Sequence, residues 1–231
     1  MATINLFGAS GHAKVIMDII AAQGDKVDYL YDDAPHCKEI HGVPVFKANE
    51  TQVCGPLIIS IGSNRVRELI SKRYELEYAQ AVHPQAIISP SATISNGTVV
   101  MHGALIQSDA CIGKHCIINS GASIDHECQI GDFVHISPHA TLCGNVHVGE
   151  GSWIGAGATV IPGIRIGRWC TIGAGAVVIR DIPDGATAYG NPCKIKQRNM
   201  QLTDNSLGGG GVNICLPACY VSKRNELEYA A

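Results

Sequence analysis

The chain has 231 residues, of which 46% are hydrophobic, 16% charged and only 5% aromatic, and it carries 26 glycines. A formal net charge of −3 argues against a nucleic-acid partner, and no apolar run approaches the roughly 18 residues that a membrane span needs. Few aromatics beside many glycines fit a structure of small-residue turns and aliphatic layers better than a sandwich or an ordinary α/β core.

The first residues, Met1 to Asn5, lack both a basic leader and a long apolar stretch, so a cytoplasmic protein is expected. The ten cysteines are scattered, without a Cys-x-x-Cys pair or a zinc-finger spacing. Cys116, Cys128 and Cys170 share one repeat position where a small buried residue is wanted, which reads as reduced core cysteine.

Taken in chain order, Ile4 to Phe7 reads as a strand that runs into Gly8-Ala9-Ser10-Gly11-His12 and then a helix over Ala13 to Ala22. A second strand, Val27 to Tyr31, ends in Asp32-Asp33, and a third, Leu57 to Ile61, ends in Gly62-Ser63-Asn64. This alternation predicts a small α/β, Rossmann-like domain with a parallel sheet over residues 1–80. Ligands of such sheets sit at the strand C-termini. The glycines allow close approach of a phosphate to a helix N-terminus, but the Gly-x-Gly-x-x-Gly dinucleotide fingerprint is missing.

From Ile88 onward every sixth residue is Ile, Val or Leu, through Val178, sixteen positions without a slip. With about half of residues apolar, the odds of such a run are on the order of 10⁻⁵. A period of six matches neither a plain strand nor a helix; it marks a parallel β-helix in which three hexapeptides make one triangular coil. The fifth position of each unit is small or β-branched, as at Ala104, Ala110, Cys116 and Ala122, and lets the chain turn a corner. The prism is expected over 81–198, with no insertion in its register. The tail over 199–231, with its Gly208 to Gly211 run and Cys215 and Cys219, carries no pattern to which a role attaches.

Asp125-His126-Glu127 falls at a corner of the prism, with the His third in its hexapeptide, where side chains turn outward. Acyl transfer to an amine or hydroxyl needs a base, a thioester held nearby and donors for the developing oxyanion. Imidazole, with an ordinary pKa near 6.5, suits the first task, and a neighbouring carboxylate can orient it. On the residues alone a solvated surface pair, and so a non-catalytic β-helix binding module, stays open. The basic residues Arg165, Arg168, Arg180, Lys194, Lys196 and Arg198 read equally as a phosphate-holding end of the prism or as solvated surface.

The Gly-Ala-Ser-Gly-His turn, the Asp-Asp after the second strand, the prism with Asp125-His126-Glu127, and the closing Gly190-Asn191-Pro192-Cys193-Lys194 occur together. Over residues 2–196 this set resembles the sialic-acid O-acetyltransferase and UDP-4-amino-sugar N-acetyltransferase family, including the enzymes of bacillosamine and perosamine acetylation. The resemblance implies a left-handed coil, acetyl-CoA as co-substrate, a nucleotide-sugar substrate, a homotrimer and a place in glycan biosynthesis. It further implies His126 as general base with Glu127 raising its basicity. By the same implication His135 and the backbone near Gly144, Ala156 and Ala174 contact acetyl-CoA, and Ser10, Gly11, His12, Asp32 and Asp33 hold the nucleotide-sugar. N-acetylation of a nucleotide-linked amino sugar is the expected reaction, with O-acetylation of sialic acid or another sugar as the alternative. His126 and His135 are separated by half a coil, which puts them on opposite sides of one prism and predicts sites shared between chains.

Overall fold

The structure, a computed structural model, describes residues 2–198. Its N-terminal part is a sheet of five strands, β1 Thr3–Phe7, β2 Lys26–Asp32, β3 Glu39–Ile40, β4 Val43–Lys47 and β5 Leu57–Ile59, in the order β3-β4-β2-β1-β5. The pairs β1–β2, β1–β5 and β2–β4 are parallel, as expected; the edge pair β3–β4 is antiparallel, which the sequence pattern does not announce. Its hairpin turns at His41-Gly42, both at positive φ (50° and 78°), the backbone of a tight two-residue turn. Two helices flank the sheet, α1 Gly11–Ala22 and α2 Asn64–Arg73. α1 buries Ala13, Ile16, Ile19 and Ile20, the one-face spacing of an amphipathic helix.

The prism follows in register. Two-residue strands begin at Ala81–Val82 on face I, Ile87–Ile88 on face II and Thr93–Ile94 on face III, and each pairs in parallel with the strand three hexapeptides on. The last regular strands are Thr171–Ile172, Val177–Val178 and Arg165–Ile166 on faces I, II and III. The second residue of each strand points inward, and from Val100 to Val178 these side chains are at most 4% exposed. Full burial of one such side chain contributes about 1.5–3 kcal/mol. The small residues at the corners fill the same core: Ala104, Ala110, Cys116, Ala122, Cys128 and Ala140 are all buried. Where that position is hydroxylic it bridges coils, as Thr98 Oγ1 donates to the Gly113 carbonyl at 2.7 Å and accepts from the Cys116 amide at 2.9 Å.

The regular register ends at Val178, with the aliphatic run itself. After Val178 the step of six would place Asp184 inward; instead Ile182 takes the place beside Ile166, and Asp184 caps the corner by accepting the Arg168 amide at 2.8 Å. A charged side chain cannot fill an aliphatic core without a partner, so the coil shortens by two. The strand Ala186–Tyr189 continues face I, and the strand Lys194–Arg198 folds back antiparallel on it.

The two parts share a core. Ile4, Leu6, Ile16, Ile20 and Ile58 cluster with Ala81, Val99 and Ile117, the first outward residues of face I. The next outward residues up that face are His135, Trp153 and Thr171, and His135 therefore lies where the covering ends.

The close stacking of coils separates two kinds of glycine. A Cβ on Gly149 would stand 2.6 Å from the Arg168 amide nitrogen and from Gly167 backbone, whereas one on Gly157 (φ +65°) would meet nothing within 4 Å. Gly149→Ala is expected to cost about 3 kcal/mol by overpacking. Gly157→Ala should cost about 1–2 kcal/mol, the strain of a left-handed residue. Denaturant unfolding of both variants checks the order, and equal costs would contradict it.

Candidate active site

His126 stands at the corner between faces II and III, exposed, with Nδ1 3.1 Å from Glu127 Oε2. A carboxylate only accepts, so the ring proton sits on Nδ1 and Nε2 keeps its lone pair. Glu127 reaches the ring because its backbone is left-handed (φ 60°), a region that costs a glutamate about 1–2 kcal/mol. The matching residue one coil on is Asn145 (φ 56°), a residue type that tolerates this conformation. The Asp125 carboxylate accepts the His126 amide at 2.8 Å and fixes the turn.

Gly144 lies directly against this histidine: a Cβ there would be 2.5 Å from Cε1 and Nε2 of His126. Gly144 thus stands one coil above His126, at a different corner from Ala156 and Ala174. Those two are exposed and stacked one coil apart at the corner between faces I and II.

His135 lies on face I, its ring stacked on Trp153 at 5.5 Å and 3°. Asn119 Oδ1 accepts the Ser120 amide at 2.8 Å, which turns Asn119 Nδ2 toward His135 Nε2 at 3.1 Å. An amide nitrogen donates, so Nε2 accepts and the proton resides on Nδ1, which is buried without a partner. Burial, then Arg67, then His12 push the His135 pKa down to about 3. His12, on the first turn of α1, has a partnerless buried Nε2 and is held to about 4 by burial and Arg67. His12 and His135 are thus brought together; His126 is on the far side of the same prism.

Ser10 precedes α1 and is exposed, with no side-chain cap and no acidic residue in the first turn. Gly11 faces open space. Ala9, Ser10, Gly11, Lys14, Glu39 and His41 are among the residues that line a cavity of about 400 Å³. Asp32 is engaged by the loops themselves: its carboxylate accepts the Ala9 amide at 2.8 Å and the Ala34 amide at 2.9 Å. Asp33 is paired with Arg73 at 2.8 Å. A larger groove, about 830 Å³, runs along face III past Gln129, His147 and Arg165 and includes neither His126 nor His135. Of the basic residues near the end of the prism, Arg168 is paired with Asp184 at 3.1 Å.

Four features escape sequence reasoning: Asn119, Trp153, Lys14 and the buried pair Asn64–Arg67. His115, at a repeat turn, is 5% exposed, stacked on Phe133 at 5.2 Å and edge-on to Tyr78 at 4.5 Å. Burial holds its pKa to about 4, with Arg67 adding to the effect and Asp132 opposing it. Cys116, Cys128 and Cys170 are buried free thiols, as their repeat position implies.

His12, His115 and His135 are neutral in the fold and have folded pKa values below the ordinary 6.5. The unfolded chain therefore binds more protons as pH drops, and stability present above about pH 6.5 is lost as pH falls toward 4. The melting temperature should be flat between pH 7 and 8 and decline steadily below 6.5. A melting temperature unchanged from pH 7 to 5 would contradict the neutral burial of these rings.

Among known proteins, the PglD N-terminal domain model matches residues 3–74, and the bacterial transferase hexapeptide (six repeats) model matches residues 145–180. UDP-N-acetylbacillosamine N-acetyltransferase of Bacillus subtilis is 44% identical over 112 residues, 44% of this chain; the chain spans about half the length of that relative (52%). The structure of a perosamine N-acetyltransferase mutant from Caulobacter crescentus with CoA and GDP-perosamine superposes with a TM-score of 0.80 at 37% identity, covering 85% of this chain and 98% of that one. The acetyltransferase domain of PglB from Neisseria gonorrhoeae with acetyl coenzyme A gives 0.78 at 36% identity, covering 84% and 98%. With the prism, the α/β unit and the His-Glu corner in the same chain, the protein belongs to the hexapeptide-repeat sugar N-acetyltransferase family.

Proposed function

We propose that the protein transfers the acetyl group of acetyl-CoA to the amine of a nucleotide-linked 4-amino sugar, with UDP as the expected nucleotide. The observation that carries this reading is the pairing of His126 Nδ1 with Glu127, which leaves the lone pair on Nε2, beside Gly144 at an exposed corner. In this reading Nε2 takes the proton of the sugar amine as its nitrogen bonds the thioester carbonyl carbon. The carbon–sulfur bond then breaks, and the proton leaves with the thiol. Glu127 holds the tautomer and stabilises the imidazolium.

His135, fixed on face I by Asn119 and stacked on Trp153, suits a contact with acetyl-CoA next to the corner of Ala156 and Ala174. The exposed amides at Ala156 and Ala174 are free to hold the pantetheine arm of the co-substrate. The open N-terminus of α1 at Ser10, Gly11 and His12 suits the diphosphate of the nucleotide-sugar. Asp32 and Asp33 shape that loop through the Ala9 amide and Arg73.

A homotrimer completes the reading. Face II presents Ile87, Leu105, Ser123, Thr141, Thr159 and Val177 outward, all uncharged, between the corner of His126 and the corner of Ala156 and Ala174. Three copies with face II toward a common axis set the first corner of each against the second corner of the next. His126 of one copy then meets His135 of its neighbour. The free thiols, exposed at Cys37 and Cys54, and the proposed co-substrates support a reducing, cytoplasmic setting. Among the described residues no helix is long and apolar enough to cross a membrane.

Incubation with acetyl-CoA and a panel of nucleotide-linked amino sugars should release free thiol. Turnover with sialic acid alone would overturn the amine assignment. His126→Ala should lower kcat by about 10²–10⁴-fold with acetyl-CoA affinity kept. Gly144→Ala, by displacing the His126 ring, should lower kcat in the same direction. Glu127→Asn should lower kcat by a smaller factor with no loss of thermal stability, since it relieves the left-handed glutamate. Near wild-type turnover of His126→Ala would remove the base assignment.

Mixing His126→Ala chains with His135→Ala chains should restore part of the activity, because mixed trimers contain intact sites. A fully active monomer by light scattering would rule out the shared site.

A further inference from the structure

Arg67 is 1% exposed, the largest fully buried side chain of the described residues. All five of its N–H donors are used. Nε donates to the His115 carbonyl at 3.0 Å, and Nη1 to the Ile61 and Gly62 carbonyls at 3.1 and 2.8 Å. Nη2 donates to the Phe133 carbonyl and to Asn64 Oδ1, both at 2.9 Å. His115 and Phe133 are equivalent corners of the prism, one full coil apart. Asn64 continues the contact one coil further through the Gly151 and Ser152 carbonyls at 3.0 and 3.2 Å. One side chain of α2 therefore reads the repeat spacing of the prism and locks the α/β unit to it.

Every partner of the guanidinium is neutral. Among the described residues no carboxylate touches it. Glu68, next on α2, is turned to Arg65 and Lys72 at 2.6 and 2.7 Å, and Asp132 accepts the Lys114 amide at 2.7 Å on the far side of His115. The other titratable groups facing Arg67 are His115, Cys116 and His135 on the prism and His12 on α1. Burial lowers the Arg67 pKa to about 10, so it remains charged at neutral pH. A buried ion usually has a counterion, because desolvation alone costs several kcal/mol. Leaving one out makes the surroundings hostile to a second positive charge.

We propose that Arg67 is a positioning residue: it docks the α/β unit on the prism at a fixed coil and, as an uncompensated buried cation held on the Phe133 carbonyl two residues from His135, adds to the burial of His12 and His135 in opposing a positive charge on either ring. The consequence is chemical. A neutral His135 accepts from Asn119 through Nε2 and keeps its ring fixed on Trp153. A protonated ring would lose the Asn119 contact and turn. The inference rests on the reading of His12 and His135 as active-site groups, and its test separates the two.

Histidine ring titration by NMR on the full chain is the measurement, accompanied by the pH profile of kcat. In the wild type, both rings should stay uncharged at pH 5. Arg67→Met removes the charge, and Arg67→Gln removes it while keeping an amide that can donate to a prism carbonyl, which covers the case in which the first variant fails to fold. Either should raise the titration midpoints of His12 and His135 by about one pH unit or more, the effect of a nearby charge, and add an ionisation to the acid limb of kcat. Arg67→Lys, which keeps the charge, should leave both midpoints low. Unmoved midpoints in the charge-neutralised variants overturn the proposal. Moved midpoints with an unmoved kcat profile uphold the role of Arg67 and overturn the placement of these rings at the reacting groups.

Discussion

Each coil of the prism rests on the one before it, through main-chain hydrogen bonds from one strand to the next and aliphatic side chains stacked along the axis. This constraint assigns every residue a face, a corner and a height. A side chain can be moved from solvent to core by one position, and from one corner to the next by six. The α/β unit is subject to the same ruler, since it is held by carbonyls one coil apart. Its sheet then covers only the first coils of face I and leaves the upper ones open.

Two histidine environments arise from that geometry. His126 is exposed and oriented by a carboxylate, so its chemistry is that of a base with one free nitrogen. His135 is packed on Trp153, bonded to Asn119 and close to an unbalanced cation, so its ring is held neutral. The two imidazoles thus differ in water content and in the sign of the nearest charge, the kind of difference that sets apart side chains of one type within a site. The left-handed backbone of Glu127 is shared by the other corners of the prism, among them Asp109, His115, Phe133 and Asn145, so the turn itself sets it.

The prism was legible because its determinant is local and repeated: an aliphatic residue every six positions and a small residue at each corner. The handedness of the coil had to come from resemblance, since neither spacing nor composition encodes it. His126 and Glu127 were legible as a pair because they are adjacent in sequence and lie outside the core positions. Arg67 was not legible, because its partners His115 and Phe133 lie far along the chain, on the prism, and nothing in its own neighbourhood marks it as buried. The neighbours of α2, Arg65, Glu68 and Lys72, look like those of any solvated helix. The coil spacing from His126 to Gly144 also places that glycine against the imidazole, a contact that the resemblance did not announce. The short last coil was hidden because Asp184 holds the expected position and only its charge excludes it from the core. Readings made on residues 199–231, including Gly208 to Gly211, Cys215 and Cys219, lie outside the described residues.

The reversal of the strand Lys194–Arg198 on the strand Ala186–Tyr189 has a bearing on solubility. A column of parallel strands ends in a row of unpaired peptide groups, which a second column could extend indefinitely into a fibre. The shortened coil bends the chain out of step, and an antiparallel strand bearing Lys194 and Lys196 then occupies the exposed ladder with the opposite polarity. A further parallel turn cannot dock in register on a strand that runs the other way, and its lysines repel a like surface. On face I, growth by stacking of a further parallel coil is thereby blocked.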